Sequence, residues 1–219
     1  MAASRQAPGR RAVSASIVLT RGVDARQPYE VAIDQVSSGR TFTALRFDAS
    51  QGDRTGAFGT VLLDVTAPDV IRHAAPPPAV PGPYPGDPDA PLGPPELDAW
   101  VRFRDVPDDQ PVHAGLLAQF TGHLSIAAAL RPHAGIGQDQ AHRTLSTAIN
   151  AISLSIHADV RADRWMLYHH RSTVAGDGMT HSECRVHDEE GLLVASFTVD
   201  AMVRAFADRT GEADYRSAM

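Results

Sequence analysis

The amino-acid sequence predicts an α+β protein in which antiparallel sheets surround a central helix. Most segments alternate apolar and polar residues with a period of two, which is typical of strands with one buried face. Short turn signals separate these segments, and short turns connect antiparallel neighbours. One longer apolar segment repeats with helical spacing instead. These patterns together predict many strands and one long helix.

The composition is that of a globular protein that can bury a core. The chain has 219 residues, of which 43% are hydrophobic and 21% charged. Its 26 acidic residues outnumber 20 basic ones, all of them arginine, so the formal net charge is −6. Nucleic-acid binding depends on clustered basic residues and is not expected. No apolar run is long enough to cross a membrane, and no signal segment opens the chain, so we expect a cytoplasmic protein.

A proline-rich segment divides the chain into two units. Residues 76–95 contain ten of the sixteen prolines. A segment so rich in proline can form neither a helix nor a central strand. An extended linker is therefore predicted there. The predicted organisation is a flexible N-terminus at 1–11, an N-terminal unit at 12–70, a linker at 71–97, a C-terminal unit at 98–206 and a flexible tail at 207–219.

The N-terminal unit is predicted to be a meander of antiparallel strands without a helix. Its strands are expected at 12–23, 29–36, 41–48 and 56–65. With no helix to cover it, one face of this sheet would leave apolar side chains in water. These side chains are Ile17, Val31, Ile33, Phe42, Leu45, Leu62 and Val65. We therefore expect a homo-oligomer that covers the face.

The C-terminal unit is predicted to contain a strand, a long helix and a second meander. The strand is expected at 98–106 and the helix at 113–130, where Leu116, Leu117 and Phe120 recur at helical spacing before the stop signal Pro132. The four strands of the second meander are expected at 152–160, 165–174, 179–187 and 192–204.

Sequence motifs in both units resemble the acyl-CoA thioesterase II family. In the C-terminal unit these are HADVRADRWMLY at 157–168, RSTVA at 171–175 and GLLVAS at 191–196. In the N-terminal unit they are LTRG at 19–22 and GRTF at 39–42. The resemblance covers residues 12–206. It implies a double hotdog, with two repeats fused as a pseudo-dimer and the first repeat lacking its strand and helix.

The resemblance also implies hydrolysis of acyl-CoA by an acidic residue, a hydroxyl residue and a glutamine. Such groups activate water and stabilise the oxyanion. The acid's position corresponds to Ala151 and the glutamine's to Val199, whereas the hydroxyl is retained as Thr173, with Ser172 beside it. We expect catalysis by Thr173, with Asn150 as an uncharged donor and Ser172 in substrate binding. Hydrolysis is therefore expected to be weak or lost.

Three apolar residues of the predicted helix, Leu117, Phe120 and Leu124, are expected to line a pocket for the acyl chain. Two plainer roles stay open, because Thr173 could simply pack in its strand and Asn150 could be a turn residue at a helix-to-strand junction. The functional alternative is a non-hydrolytic hotdog that holds an apolar or polyketide-like ligand, including one used for cyclisation or dehydration. With one cysteine and no HxH or HExxH spacing, we expect no metal and no cofactor.

Overall fold

The structure is a computed structural model that describes residues 2–24, 26–66, 75–79, 92–134 and 136–206. These residues form one antiparallel sheet with helices packed on one of its faces. The helices are α1 (Ala2–Gln6), α2 (Gln110–Phe120) and α3 (Ser125–Leu130), and a 3₁₀ turn covers Gln138–Gln140. The strands are β1 (Arg11–Leu19), β2 (Glu30–Ser38), β3 (Phe42–Gln51), β4 (Arg54–Asp64), β5 (Glu96–Val101), β6 (Leu145–Ile156), β7 (Met166–Gly176), β8 (Met179–Asp188) and β9 (Leu193–Ala205).

The two predicted units join through the pairing of β1 with β6. The strand order is β2-β3-β4-β1-β6-β9-β8-β7-β5, so the first meander lies on one side of this pair and the second on the other. The pairing runs from Ser14 opposite Ser155 to Val18 opposite Ala151. The two meanders thus form one continuous sheet. The predicted α+β class and antiparallel arrangement are confirmed.

The main core lies between the C-terminal half of the sheet and the helices, on what we call the inner face. Leu117 of α2 packs there in one buried cluster with Tyr168, Val186 and Phe197 of three adjacent strands. Directly paired residues of antiparallel strands share a face. The register therefore assigns every paired strand residue to the inner face or to the opposite, outer face.

The predicted helix at 113–130 is in fact two helices. Helix α2 begins three residues earlier, and the connection 121–124 separates it from α3. Thr121 and Gly122 have low helix propensity, and the Thr121 hydroxyl donates to the carbonyl oxygen of Ala118 at 2.7 Å, competing with helical continuation. The apolar spacing predicted the helical face correctly but not this interruption.

A short helix lies at the N-terminus, within the segment 1–11 for which the sequence predicts no helix. Helix α1 forms there, and Ala7, which follows it, is buried with Leu45 and Leu63 against the N-terminal sheet. Ala3 and Ile33 pack around this small cluster. The predicted tail 207–219 and most of the linker, including 80–91, lie outside the described residues.

We predict that Gly59→Ala destabilises the joint between β1 and β4. Gly59 pairs with Ile17 and Phe47, and a Cβ there would clash with the Ser16 carbonyl oxygen and lie 2.9 Å from the Phe47 ring. Overpacking of this kind costs about 1–3 kcal/mol in free energy of unfolding. Urea denaturation measures it, with Gly176→Ala as the control, because nothing lies within 4 Å of a Cβ at Gly176. Equal stability losses in both variants would contradict this packing.

Candidate functional site

Asn150 lies at a β-bulge in the middle of β6, not at a helix-to-strand junction as the sequence suggested. The strand begins at Leu145, and its register against β9 shifts between Ile149 and Ala151, which pair with Ala201 and Asp200. Asn150 is the extra residue. A bulge of this kind re-aims side chains locally and often occurs next to functional sites.

The bulge separates Asn150 from its neighbour Ala151. Ala151 pairs with Asp200, whose half-exposed carboxylate contacts the Nδ1 atom of His181 at 2.6 Å on the outer face. Asn150 instead alternates with the core residues Ile152 and Leu154, and its Oδ1 atom is buried without a hydrogen-bond partner. Asn150 therefore lies on the inner face, whereas Ala151, where the resemblance places the acid, lies on the outer face.

Three hydroxyl residues share the inner face with Asn150. Ser182 of β8 pairs with Val199 of β9 and with Ser172 of β7, and Thr180 pairs with Ala201. Ser172, Thr180 and Ser182 are all buried, and the hydroxyls of Thr180 and Ser182 have no partner. We call these residues the inner polar cluster: Asn150, Ser172, Thr180 and Ser182. Val199, at the position of the family's glutamine, is buried in the middle of them.

Buried polar groups without partners are uncommon, because each costs about 1–3 kcal/mol. Water or a ligand atom that hydrogen-bonds them would recover this free energy. The sequence analysis missed Thr180 and Ser182. The available signal was the alternation of β8, which places two hydroxyl residues at successive inward positions before the buried Cys184.

Thr173 lies outside this cluster. It is the extra residue where the register of β7 against β8 shifts between Ser172 and Val174, and its side chain is exposed. Its hydroxyl donates weakly to the carbonyl oxygen of His181 at 3.4 Å. The structure therefore brings Ser172, but not Thr173, onto the inner face with Asn150.

The three predicted pocket residues have different surroundings. Leu117 is fully buried in the core. Phe120 is half-buried and packs edge-on against Tyr168 with ring centroids 5.0 Å apart. Leu124 precedes α3 at the helix break. At this break, a Cβ on Gly122 would lie 3.3 Å from Ile149, so the connection between α2 and α3 covers the bulge of β6.

A buried group of three side chains adjoins the inner polar cluster. The Nδ1 atom of His170 lies 3.1 Å from the Ser125 hydroxyl and 3.2 Å from the Cys184 sulfur. Burial, with a smaller effect of the neighbouring His169, lowers the pKa of His170 to about 4. Burial also raises the pKa of Cys184 to about 12 and that of Tyr168 above its ordinary value. At neutral pH these groups are uncharged.

Two further properties concern the described part of the chain. Among the residues described, no group of three or more histidine, cysteine, aspartate or glutamate side chains is arranged to hold a metal ion. No helix within the described ranges is both long and apolar enough to cross a membrane.

Comparison with known proteins identifies the family. A family model described as the acyl-CoA thioesterase C-terminal domain matches residues 44–203, more than half of the chain. The chain belongs to this family. The match extends from β3 to β9 and so includes the whole inner polar cluster.

Solved structures of this fold confirm the hotdog architecture. The acyl-CoA thioesterase II TesB2 of Mycobacterium marinum is 24% identical, with a TM-score of 0.81 over 93% of this chain and 84% of that one. A tesB protein of Mycobacterium avium subspecies paratuberculosis is 22% identical, with a TM-score of 0.79 over 93% and 82%. A hot dog protein of unknown function from Alicyclobacillus acidocaldarius is 15% identical, with a TM-score of 0.74 over 94% and 84%. At these identities the likeness concerns the fold.

We predict that the free energy of unfolding falls as the pH decreases from 6.5 to 4. In this range His170 becomes protonated in the unfolded chain but stays neutral in the folded protein. Proton binding to His170 therefore favours the unfolded state. At 1.36 kcal/mol per pKa unit, the loss is about 3 kcal/mol. His157 and His187, whose pKa values burial also lowers, act in the same direction.

Urea denaturation between pH 4 and 7 tests this prediction with two variants. His170→Gln should reduce the pH dependence even if it lowers stability overall, whereas His133→Gln, at an exposed position, should retain it. Parallel pH profiles for His170→Gln and the unmodified protein would show that His170 is not the buried group responsible.

Proposed function

We propose that this protein binds acyl-CoA or a related acyl thioester at the inner polar cluster and hydrolyses it slowly or not at all. The observation that carries the proposal is the set of buried, uncharged groups without partners at Asn150, Thr180 and Ser182. They surround Val199, at the position of a catalytic glutamine in the family that the chain resembles.

The chemistry of these groups suits binding better than hydrolysis. The unpartnered hydroxyls of Thr180 and Ser182 can donate hydrogen bonds to a thioester carbonyl, whereas the unpartnered Oδ1 atom of Asn150 can only accept one. Hydrolysis also requires a base that takes a proton from water. An asparagine amide cannot act as one, and the low pKa of His170 makes its imidazole a poor base. The nearby carboxylate of Asp200 is on the outer face, paired with His181.

Access to the cluster requires local movement, because its hydroxyl residues are at most 6% exposed. The covering segment is the connection 121–124 between α2 and α3, where the helical hydrogen bonding is interrupted. Such an interrupted segment opens at lower cost than a continuous helix. We place the ligand entrance beside Gly122.

A second candidate function is non-hydrolytic holding of an apolar or polyketide-like chain. The observation that favours it is a group of uncharged ring side chains next to the cluster. Tyr168, His170 and Phe197 are all buried, and the His170 ring contacts the other two rings. An apolar ligand would be shielded from water there. Tight binding of an apolar chain that carries no thioester, together with no binding of acyl-CoA, would favour this candidate.

We predict that acyl-CoA hydrolysis is far below the common enzymatic range of about 1 to 10³ per second. A thiol-reactive dye that detects released CoA measures it with medium- and long-chain substrates. Replacing Asn150 by Asp and Val199 by Gln should raise the residual rate, because the two changes supply a base and an amide on the inner face. Circular dichroism verifies folding, since Val199 is fully buried.

Ala151→Asp combined with Val199→Gln is the matched control. It introduces the same two side chains, but the carboxylate lies on the outer face beside Asp200. Its rate should remain at the unmodified level. A gain with Ala151→Asp but not with Asn150→Asp would show that the acid's position is Ala151, and rapid hydrolysis by the unmodified protein would contradict the proposal itself.

We further propose that the protein is a homodimer or larger oligomer assembled through the N-terminal sheet. Its edge strand β2 is mostly exposed, with Val31 at 45% and Val36 at 65%, and nearby Phe42 is 50% exposed. An unpaired edge and apolar side chains in water both favour association. Helix α1 covers only the small patch around Leu45 and Leu63.

Light scattering at micromolar concentration should therefore give a mass of at least twice 23.4 kDa. Val36→Arg should shift the mass toward the monomer, because a charged residue on an edge strand opposes pairing. Val174→Arg, at a similarly exposed position of β7 in the other repeat, should leave the mass unchanged. A monomeric mass for the unmodified protein would refute the assembly.

A further inference from the structure

The outer face of the sheet carries a row of directly paired polar residues that runs from β2 to β7. The middle of the row is uncharged and consists of four hydroxyl residues on adjacent strands: Thr60, Ser16, Ser153 and Thr198. On the N-terminal side, Arg46 and then Asp34 continue the row. On the C-terminal side, Glu183 and then Arg171 continue it. Charged residues thus flank the hydroxyl centre on both sides.

The charges of this row have opposite signs at equal distances from the joint between β1 and β6. Counted outward from the joint, the third strands are β3 and β8, which carry Arg46 and Glu183. The fourth strands are β2 and β7, which carry Asp34 and Arg171. When two copies stack by their outer faces, a two-fold axis parallel to the joint places every one of these charges opposite a counter-charge. A two-fold axis along the row would instead place each residue opposite itself, so that like charges meet.

The four charged residues of the row are exposed and can contact a partner. Arg46 lies 2.9 Å from Asp34, and Arg171 lies 3.6 Å from Glu96 of β5. Ion pairs between exposed side chains contribute little to stability, so these pairs do not prevent contacts with a second molecule. Among the residues that the structure describes, Glu183 forms no ion pair.

The two halves of the outer face have different shapes. A groove of about 450 Å³ lies on the C-terminal half, and Ser153, Thr198 and Glu183 of the row are among the residues that line it. The N-terminal half instead presents Val18 and Phe58, which pair directly with each other and are both exposed. Exposed apolar side chains in the middle of a wide sheet are removed from water when a second sheet packs on that face.

We propose that the outer face binds a second copy of this chain, with a two-fold axis parallel to the joint between β1 and β6. In this stacked dimer, Arg46 of each copy lies opposite Glu183 of the other, and Asp34 lies opposite Arg171. The groove is lined by both acidic and basic side chains, so it does not select a small ion of either sign. The N-terminal half of the same sheet carries the reversed order of charges, which makes a second copy the complementary partner.

The stacked dimer goes beyond the proposed function, because it uses neither the inner polar cluster nor the strand edge of β2. The full-chain variant Val36→Arg, which opposes edge pairing, isolates it. Sedimentation equilibrium of this variant at micromolar concentration should still give twice 23.4 kDa. A monomer would overturn the proposal and leave the outer face to a different partner. The same mass for Val36→Arg and the unmodified protein would refute the edge assembly alone.

Charge reversal in the Val36→Arg background tests the order of the charges. Arg46→Glu places two carboxylates opposite each other at both equivalent contacts of the dimer, and Glu183→Arg places two guanidinium groups there. Each change should weaken the dimer by about tenfold or more, because like charges replace attractive pairs. Both positions are exposed, so both variants should fold. Unchanged dissociation constants would overturn the proposal.

An equimolar mixture of the two charge-reversal variants is the decisive measurement. In a mixed dimer the introduced carboxylate faces the introduced guanidinium, and the unmodified Arg46 of one variant faces the unmodified Glu183 of the other. The mixture should therefore dimerise as tightly as the Val36→Arg protein. Within one chain, positions 46 and 183 are five strand spacings apart, about 24 Å, so an effect inside the chain cannot produce this rescue. A mixture as weak as the separate variants would contradict the stacked dimer.

Two control variants carry the same charge changes outside the row. Arg143→Glu lies in the exposed connection before β6, and Glu190→Arg lies in the exposed turn between β8 and β9. Neither change should weaken the dimer. If the controls weakened it as much as Arg46→Glu and Glu183→Arg do, net charge rather than the order of charges would govern association, and the proposal would fail.

Discussion

The antiparallel pairing of β1 with β6 is the contact on which the rest of the structure depends. The N-terminal half of the sheet buries little by itself, since its described cluster of buried apolar residues consists of Ala7, Leu45 and Leu63. Such a small core cannot stabilise a separate sheet. Pairing with β6 joins the N-terminal strands to the ladder of the C-terminal strands.

Two local irregularities meet on the inner face and build the candidate site. The helix break at 121–124 and the bulge at Asn150 are in contact, because Gly122 lies against Ile149. The bulge directs an amide inward, and the break places a short connection over it. Burial in this region keeps His170 and Cys184 uncharged at neutral pH and makes the His170 imidazole a weak base.

Alternation and turn signals predicted all nine strands, most of them to within three residues at each end. Strands β1 and β6 end four residues before their predicted ends and β5 ends five residues before, and β6 begins seven residues before its predicted start. There the segment from Leu145 to Ala151 lacks a clear period, because a bulge interrupts the alternation. The predicted continuous helix failed for a related reason. Apolar spacing reports which residues face the core, whereas the interruption after Phe120 depends on Thr121 and on packing against the sheet.

The sequence by itself determined the order and type of most elements, the family, and the absence of a carboxylate at Ala151 and of an amide at Val199. Only the tertiary structure decided that Asn150 and Ser172 point inward while Ala151 and Thr173 do not, and that Thr180 and Ser182 join them. The physical reason is that a shift of one residue moves a side chain to the other face of a sheet. That register is set by hydrogen bonds to strands distant in the sequence, which no local pattern records.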